Sequence, residues 1–239
     1  MRVLFSSTEG SGHFNPLVPL VDACVRRGDD VLLVGPPKLE ATLAARDEPY
    51  RIGAAPPAAE VAAIWERFAT ASRREAGVLI DRELFARLGT AAMLPTLDDA
   101  CRRWRPDLVV RETCEYASAI AAARLGIPQA QVGVSTSEIE GGVLGMVTPV
   151  LEAYEDGIAE TLRTAPYLTR FPATLDPSPY TVTRRYREGA VLGASPLPDW
   201  WGDDRAAPLV YVTFGTVAGG LPGGADAVRA ATAAVAGLP

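Results

Sequence analysis

The stretch RVLFSSTEGSGHFNPLVPLVDACVRRGDDVLLVG, residues 2–35, decides the fold. It opens with a short apolar run (residues 2–5) and passes through a loop of small residues, Ser6 to His13, that holds Gly10 and Gly12. Residues 15–27 then carry a helical pattern: Leu17, Leu20, Val21, Cys24 and Val25 recur at i, i+3, i+4, i+7 and i+8, which is one apolar face. Asn15 is the expected N-cap and Pro16 the first helical residue, where a missing N–H costs nothing. Arg26 and Arg27 complement the negative helix end and Gly28 supplies the stop. Residues 30–35 (DVLLVG) are a second apolar run, closed by Pro36 and Pro37. Strand, glycine turn, helix and strand make a βαβ unit.

The alternation continues downstream. The pattern predicts helices over 38–46, 58–74 and 81–104, the last bent at Pro95, with a strand over 50–52. A strand follows over 107–111 (DLVVR), then a helix over 115–125 stopped by Gly126, a strand over 129–134 and a helix over 148–164. Strands that are nearly continuous apolar runs and alternate with helices indicate a Rossmann-like α/β domain, a parallel sheet with helices on both faces. Beyond Pro166 the texture becomes proline-rich, with one strand candidate over 180–186. A new strand over 209–214 (LVYVTF), a loop at Gly215 and Thr216, and a helix over 226–236 then open what reads as a second α/β domain. The expected division is 1–205 for the first domain with its linker and 206–239 for the start of the second, incomplete within this chain.

Bulk properties exclude several classes of function. At roughly 150 residues per domain, 239 residues allow one large domain and part of another. A formal net charge of −6 gives no broad basic face for nucleic acid, and an apolar content of 48% supplies a sizeable core. No run of about 18 apolar residues indicates a membrane span, and the opening apolar run is too short for a signal-peptide core, so a cytoplasmic location is expected. Cys24, Cys101 and Cys114 are unclustered and lack metal-ligand spacing, as reduced core thiols do.

The chemistry concentrates in the first loop. A glycine turn between a strand and a helix start suits anions, because backbone N–H groups and the helix dipole face the ligand. A dinucleotide fingerprint needs a third glycine where Asn15 stands and an acid closing the second strand, where Val34 and Gly35 stand. Nicotinamide binding is therefore disfavoured. His13, the only histidine, falls at the carboxyl end of the first strand, where open parallel sheets bind ligands. A helix start should keep its ring neutral and able to accept a proton. A carboxylate would orient that ring: Glu112 directly follows the DLVVR strand and meets His13 if the two strands are neighbours, while Glu115 competes for the role. The plain alternative for Glu112 is an acid complementing a helix N-terminus.

These residues carry a resemblance. MRVLFSSTEGSGHFNPLVPLVDACVRRGDDVLLVG (1–35), RPDLVVRETCEYASAIAAARLGIPQ (105–129), TLDPSPYTVT (174–183), LPDWW (197–201) and LVYVTFGT (209–216) together resemble the N-terminal portion of two-domain (GT-B) glycosyltransferases. The enzymes in question act on small natural products, particularly the actinobacterial antibiotic and macrolide type. The resemblance implies inverting transfer of a sugar from a TDP- or UDP-sugar to an acceptor hydroxyl, with no metal and no cofactor beyond that co-substrate. His13 matches the family's general base, and Glu112 stands where the dyad acid, usually Asp, is found. Ser11 and Gly12, with Gly215 and Thr216, would approach the donor diphosphate. Phe14, Trp65, Phe68, Met93, Thr136, Glu138 and Met146 are candidate walls of an acceptor pocket, each with an ordinary core or surface role as its alternative. The expected partners are the acceptor and the nucleotide sugar, neither nucleic acid nor membrane; a homodimer is left open. The chain alone is expected to show little transfer. A non-catalytic auxiliary protein of the same fold is the competing reading, and it would not require His13 and Glu112 to meet.

Overall fold

The computed structural model describes residues 1–187, 210–214 and 223–236. The chain divides into two compact units, Met1–Glu188 and Gly189–Pro239. In the first, β1 (Arg2–Ser6) leads through Gly10 into α1 (Ser11–Phe14), a 3-10 turn (Asn15–Leu17) and α2 (Val18–Arg27), then β2 (Asp30–Gly35). A 3-10 turn (Pro37–Leu39), α3 (Glu40–Ala44), β3 (Tyr50–Ile52), α4 (Ala58–Phe68) and α5 (Arg73–Gly77) follow. A stretch of wide π turns (Val78–Gly89) runs into α6 (Thr90–Trp104), then β4 (Leu108–Glu112) and α7 (Ala117–Arg124). The unit closes with β5 (Gln129–Val132), α8 (Ser137–Leu151), α9 (Ile158–Thr164), β6 (Tyr167–Thr169) and β7 (Thr183–Arg185).

The sheet has seven strands in the order β3-β2-β1-β4-β5-β6-β7, all pairs parallel. Strand order reverses between β1 and β4, and the crevice at such a switch point is the ligand site of open α/β sheets. The pleat sends alternate residues to opposite faces. Leu4, Leu32, Val34 and Val109 pack with α6, α7, α8 and α9, while Val3, Phe5, Val31, Leu33 and Val110 pack with Leu17, Val21, Leu39 and Leu43. Both faces are therefore covered, as the unbroken apolar runs required.

Several boundaries depart from the sequence reading. The first helix begins at Ser11, not after Asn15, because Gly10 takes a φ of 104° that turns the chain into helical geometry at once. Asn15 is consequently inside the helical path and is not an N-cap, and His13 belongs to the first turn rather than to the loop. The helix read over 58–74 stops at Phe68, and a capping box between Ser72 and Glu75 starts the next one. The helix read over 148–164 is two helices. The first begins at Ser137 and ends at Leu151, and Gly157 (φ 77°) stands just before the second. The parallel strand β6 had no counterpart in the sequence reading.

In the second unit, α10 (Gly224–Val235) forms where a helix was read. Residues 210–214 show no strand, and Tyr211 is 82% exposed. Gly215, Thr216 and the LPDWW segment lie outside the described residues. Among the described residues no helix is long and apolar enough to cross a membrane.

Candidate active site

The condition placed on Glu112 is met: β1 and β4 are neighbours, with Ser6 opposite Arg111. The turn after β1 and the end of β4 thus converge at the switch point. His13 Nδ1 lies 3.2 Å from Glu112 Oε2. That nitrogen is shielded from solvent and its alignment falls short of a directed hydrogen bond, so the contact is chiefly one of charge. Phe85 sets its ring edgewise against the imidazole, centroids 5.2 Å apart. The remaining ring nitrogen, Nε2, is the one left to exchange a proton with a ligand.

Glu112 is fully buried. Its Oε1 accepts from the Thr8 N–H (3.1 Å) and the Thr8 hydroxyl (2.8 Å), and its Oε2 from the Cys114 N–H (2.7 Å). Burial works to raise its pKa, but the charge of His13 and these donors outweigh it and hold the carboxyl below the usual range. For His13 burial again opposes the charged form. Glu112 first, then Asp81 and Glu140, overcome it and push the imidazole above its ordinary value. This reverses the direction expected from the helix start. A turn as short as α1 contributes a fraction of a charge, whereas Glu112 presents a whole one at contact distance.

Glu115 takes the role that was the alternative for Glu112. Its carboxylate accepts from the N–H groups of Ala117 (2.9 Å) and Ser118 (3.1 Å) and from the Ser118 hydroxyl, which satisfies the open donors at the start of α7. Two further groups escaped the sequence reading. Arg111, 1% exposed, donates through Nη1 to the carbonyls of Glu112, Thr113 and Glu115 and through Nη2 to Gln131 Oε1, and so fixes the turn that carries Glu112. Glu140 on α8 accepts from the Thr113 hydroxyl and the N–H groups of Val134 and Ser135, all through Oε1. No local pattern signals either one, because their partners lie on other elements.

Two cavities flank this centre and share Tyr116 in their walls. The larger, about 390 Å³, is mainly apolar and is bounded by Thr8, Pro36, Trp65, Phe85 and Met93 among others. The smaller, about 100 Å³, includes Asp81, Cys114 and Glu140. Of the candidate pocket walls, Trp65 and Met93 line the larger cavity. Phe14 is instead buried in the core on the other face of the sheet, and Phe68 packs on the cluster of Ile64, Leu79 and Leu88. Thr136, exposed Glu138 and half-buried Met146 border neither cavity. Ser11 and Gly12 are exposed in the first helical turn.

His13, Glu112 and Cys114 offer ligand atoms within 4.8 Å of one another, the one such cluster among the described residues. The set suits a cation poorly. Both Glu112 oxygens are already engaged by donors, and burial drives the Cys114 thiol well above its ordinary value, away from the thiolate a metal needs.

The model of the family "Erythromycin biosynthesis protein CIII-like, N-terminal domain" matches residues 57–215, well over half of the chain. The chain belongs to this family. Among curated relatives, 3-alpha-mycarosylerythronolide B desosaminyl transferase of Saccharopolyspora erythraea is 28% identical, the match covering 90% of this chain and 61% of the relative. L-demethylnoviosyl transferase of Streptomyces niveus is also 28% identical, over 90% and 57%. The fold recurs in the glycosyltransferase SsfS6 of Streptomyces sp. SF2575 (TM-score 0.59, 23% identity, 87% of this chain and 60% of that one). It recurs also in the spinosyn rhamnosyltransferase SpnG (TM-score 0.62, 19% identity, 84% and 53%). The chain therefore spans less than two thirds of the length of these relatives.

Proposed function

We propose that this chain is the acceptor side of an inverting, metal-independent glycosyltransferase that moves a sugar from a nucleoside diphosphate to a hydroxyl of a small natural product. The observation that carries the proposal is the contact between the sole histidine and a fully buried, ionised Glu112 at the switch point of the sheet. In this reading His13 Nε2 takes the proton of the acceptor hydroxyl as its oxygen bonds to the anomeric carbon. The bond from that carbon to the diphosphate breaks, and the nucleoside diphosphate leaves with the electron pair. Glu112 is a positioning residue: it orients the ring and balances the imidazolium that forms. The apolar cavity beside Phe85, walled by Trp65 and Met93, has the size and character to take a largely apolar acceptor.

The relatives' names support sugar transfer, and SsfS6 in complex with thymidine diphosphate supports a TDP-sugar as donor. On this reading residues 1–205 bind the acceptor and 206–239 begin the nucleotide-sugar side. Ser11, Gly12, Gly215 and Thr216 would then stand near the diphosphate, their backbone N–H groups and hydroxyls countering the leaving-group charge. The auxiliary-protein reading had no need of a close histidine–carboxylate pair, and a gap of only 3.2 Å favours the enzyme.

The test is transfer of labelled sugar from a TDP-sugar by the full-length protein. His13→Ala should lower turnover by about 10²- to 10⁴-fold while the nucleotide sugar binds as before. Unchanged turnover in that variant would remove His13 from the reaction.

A further inference from the structure

The smaller cavity has a feature that sugar transfer leaves unused. Glu140 is 7% exposed and borders it; all the hydrogen bonds of its carboxylate are made by Oε1, and Oε2 is buried without a partner. The Tyr167 hydroxyl, 3.5 Å from the Ser135 carbonyl, also stands beside this carboxylate and works against the rise in its pKa that burial causes. A buried carboxylate oxygen without a donor is costly, so an oxygen left this way stands out in a folded protein. Asp81, on the π-helical stretch, borders the same cavity and makes no hydrogen bond with any described residue; burial pushes its carboxyl up against the opposing charge of His13.

The charge of the wall is one-sided. Arg111 is its one cation among the described residues, and both of its Nη groups are consumed by three backbone carbonyls and Gln131. Two carboxylates therefore face a space of about 100 Å³ whose other sides include Val143, Leu144 and Tyr180. Carboxylates supply the counter-charge and hydrogen-bond acceptor that an ammonium needs, and apolar and aromatic walls suit the alkyl groups on its nitrogen. A hydroxyl would satisfy one oxygen but bring no charge, and two carboxylates against the one guanidinium of Arg111 disfavour an anion.

We propose that this cavity, held between Asp81 and Glu140, binds a protonated alkylamine group of the small-molecule ligand. Tyr116 stands in the walls of both cavities, so an amine held here lies beside the larger, mainly apolar one. That the molecule is the acceptor rests on the proposed function; the binding of the cation does not.

The test is an NMR titration of the chain with trimethylammonium chloride and, separately, with tert-butanol as a neutral probe of similar shape. The expected result is saturable trimethylammonium binding with shifts at Tyr180 and Leu144, and at least tenfold weaker binding of tert-butanol. Glu140→Gln and Asp81→Asn should each weaken the cation by tenfold or more. Asp81 supports no hydrogen bond, so its variant reads the site even if Glu140→Gln disturbs the fold. Equal affinity for the two probes, indifference to Asp81→Asn, or no saturable binding of the cation would each overturn the proposal. Failure of the transferase reading shows instead as turnover that survives His13→Ala, a result that leaves this titration unaffected.

Discussion

Because His13 is the only histidine, its imidazole C2–H signal can be followed by proton NMR without assignment, and Glu112→Gln isolates the effect of one carboxylate on it. At 3.2 Å, a full charge pair is worth about 1.3 kcal/mol at the dielectric constant of water and about 5 kcal/mol at an effective value near 20. The lower figure alone shifts the protonation equilibrium of the ring by about tenfold. The site is dry on the Glu112 side, so the true effect exceeds that floor. Gln keeps a carbonyl for the Thr8 donors and changes little in volume, while its amide nitrogen gives up the hydrogen bond from the Cys114 N–H together with the charge. The wild-type ring should titrate above the ordinary histidine value, and the variant well below the wild type, since burial then acts with less opposition. Coincident titration midpoints in the two proteins would refute the pairing of these residues.

The remaining predictions follow from the same geometry. Stability should carry the signature of the pair. The raised His13 pKa stabilises fully below the ordinary histidine value and loses that contribution as pH rises through the folded value. The lowered Glu112 pKa stabilises above the ordinary carboxylate value and loses it as pH falls through the folded value. Urea unfolding should therefore separate wild type from Glu112→Gln most widely between pH of about 4.5 and 6.5, and less at higher pH. Glu115→Ala should cost about 1–2 kcal/mol through the uncapped start of α7, seen in urea melts, while leaving the His13 titration in place. At Gly133 a Cβ would strike the Tyr167 hydroxyl and come within 2.8 Å of Cζ, so Gly133→Ala should destabilise by about 1–3 kcal/mol in the same assay. Trp65→Ala, which opens the wall of the larger cavity, should raise KM for the acceptor far more than it lowers kcat in steady-state transfer assays.

What the sequence revealed, and what it hid, follows from the range of the interactions. β1, α2, β2, β4 and α7 were legible because an apolar run or a 3.6-residue stripe reports burial locally. The N-terminal part of α8 was not: Gly141, Gly142 and Gly145 weaken any helical propensity there, and the helix is held by its packing on α9 and the π-helical stretch. β6 is three residues long and becomes a strand only through its neighbours β5 and β7. The early start of α1 hinged on the φ of Gly10, which leaves no trace in composition. At the site, His13 and Glu112 were visible because each is tied to a readable strand, His13 in the turn that follows β1 and Glu112 at the end of β4. Asp81, Arg111 and Glu140 were not, since each becomes chemically interesting only through what faces it from another element.

The central claim is that His13 removes a proton from the acceptor hydroxyl. Its most direct test is to compare wild type with His13→Ala on two acceptors of one skeleton, one presenting an aliphatic alcohol and the other a phenol. A general base matters most when the hydroxyl is a weak acid. The account predicts a loss of at least about 10²-fold with the alcohol and a much smaller loss with the phenol. Equal losses on the two acceptors would mean that His13 holds the site together without taking the proton, and would contradict the account.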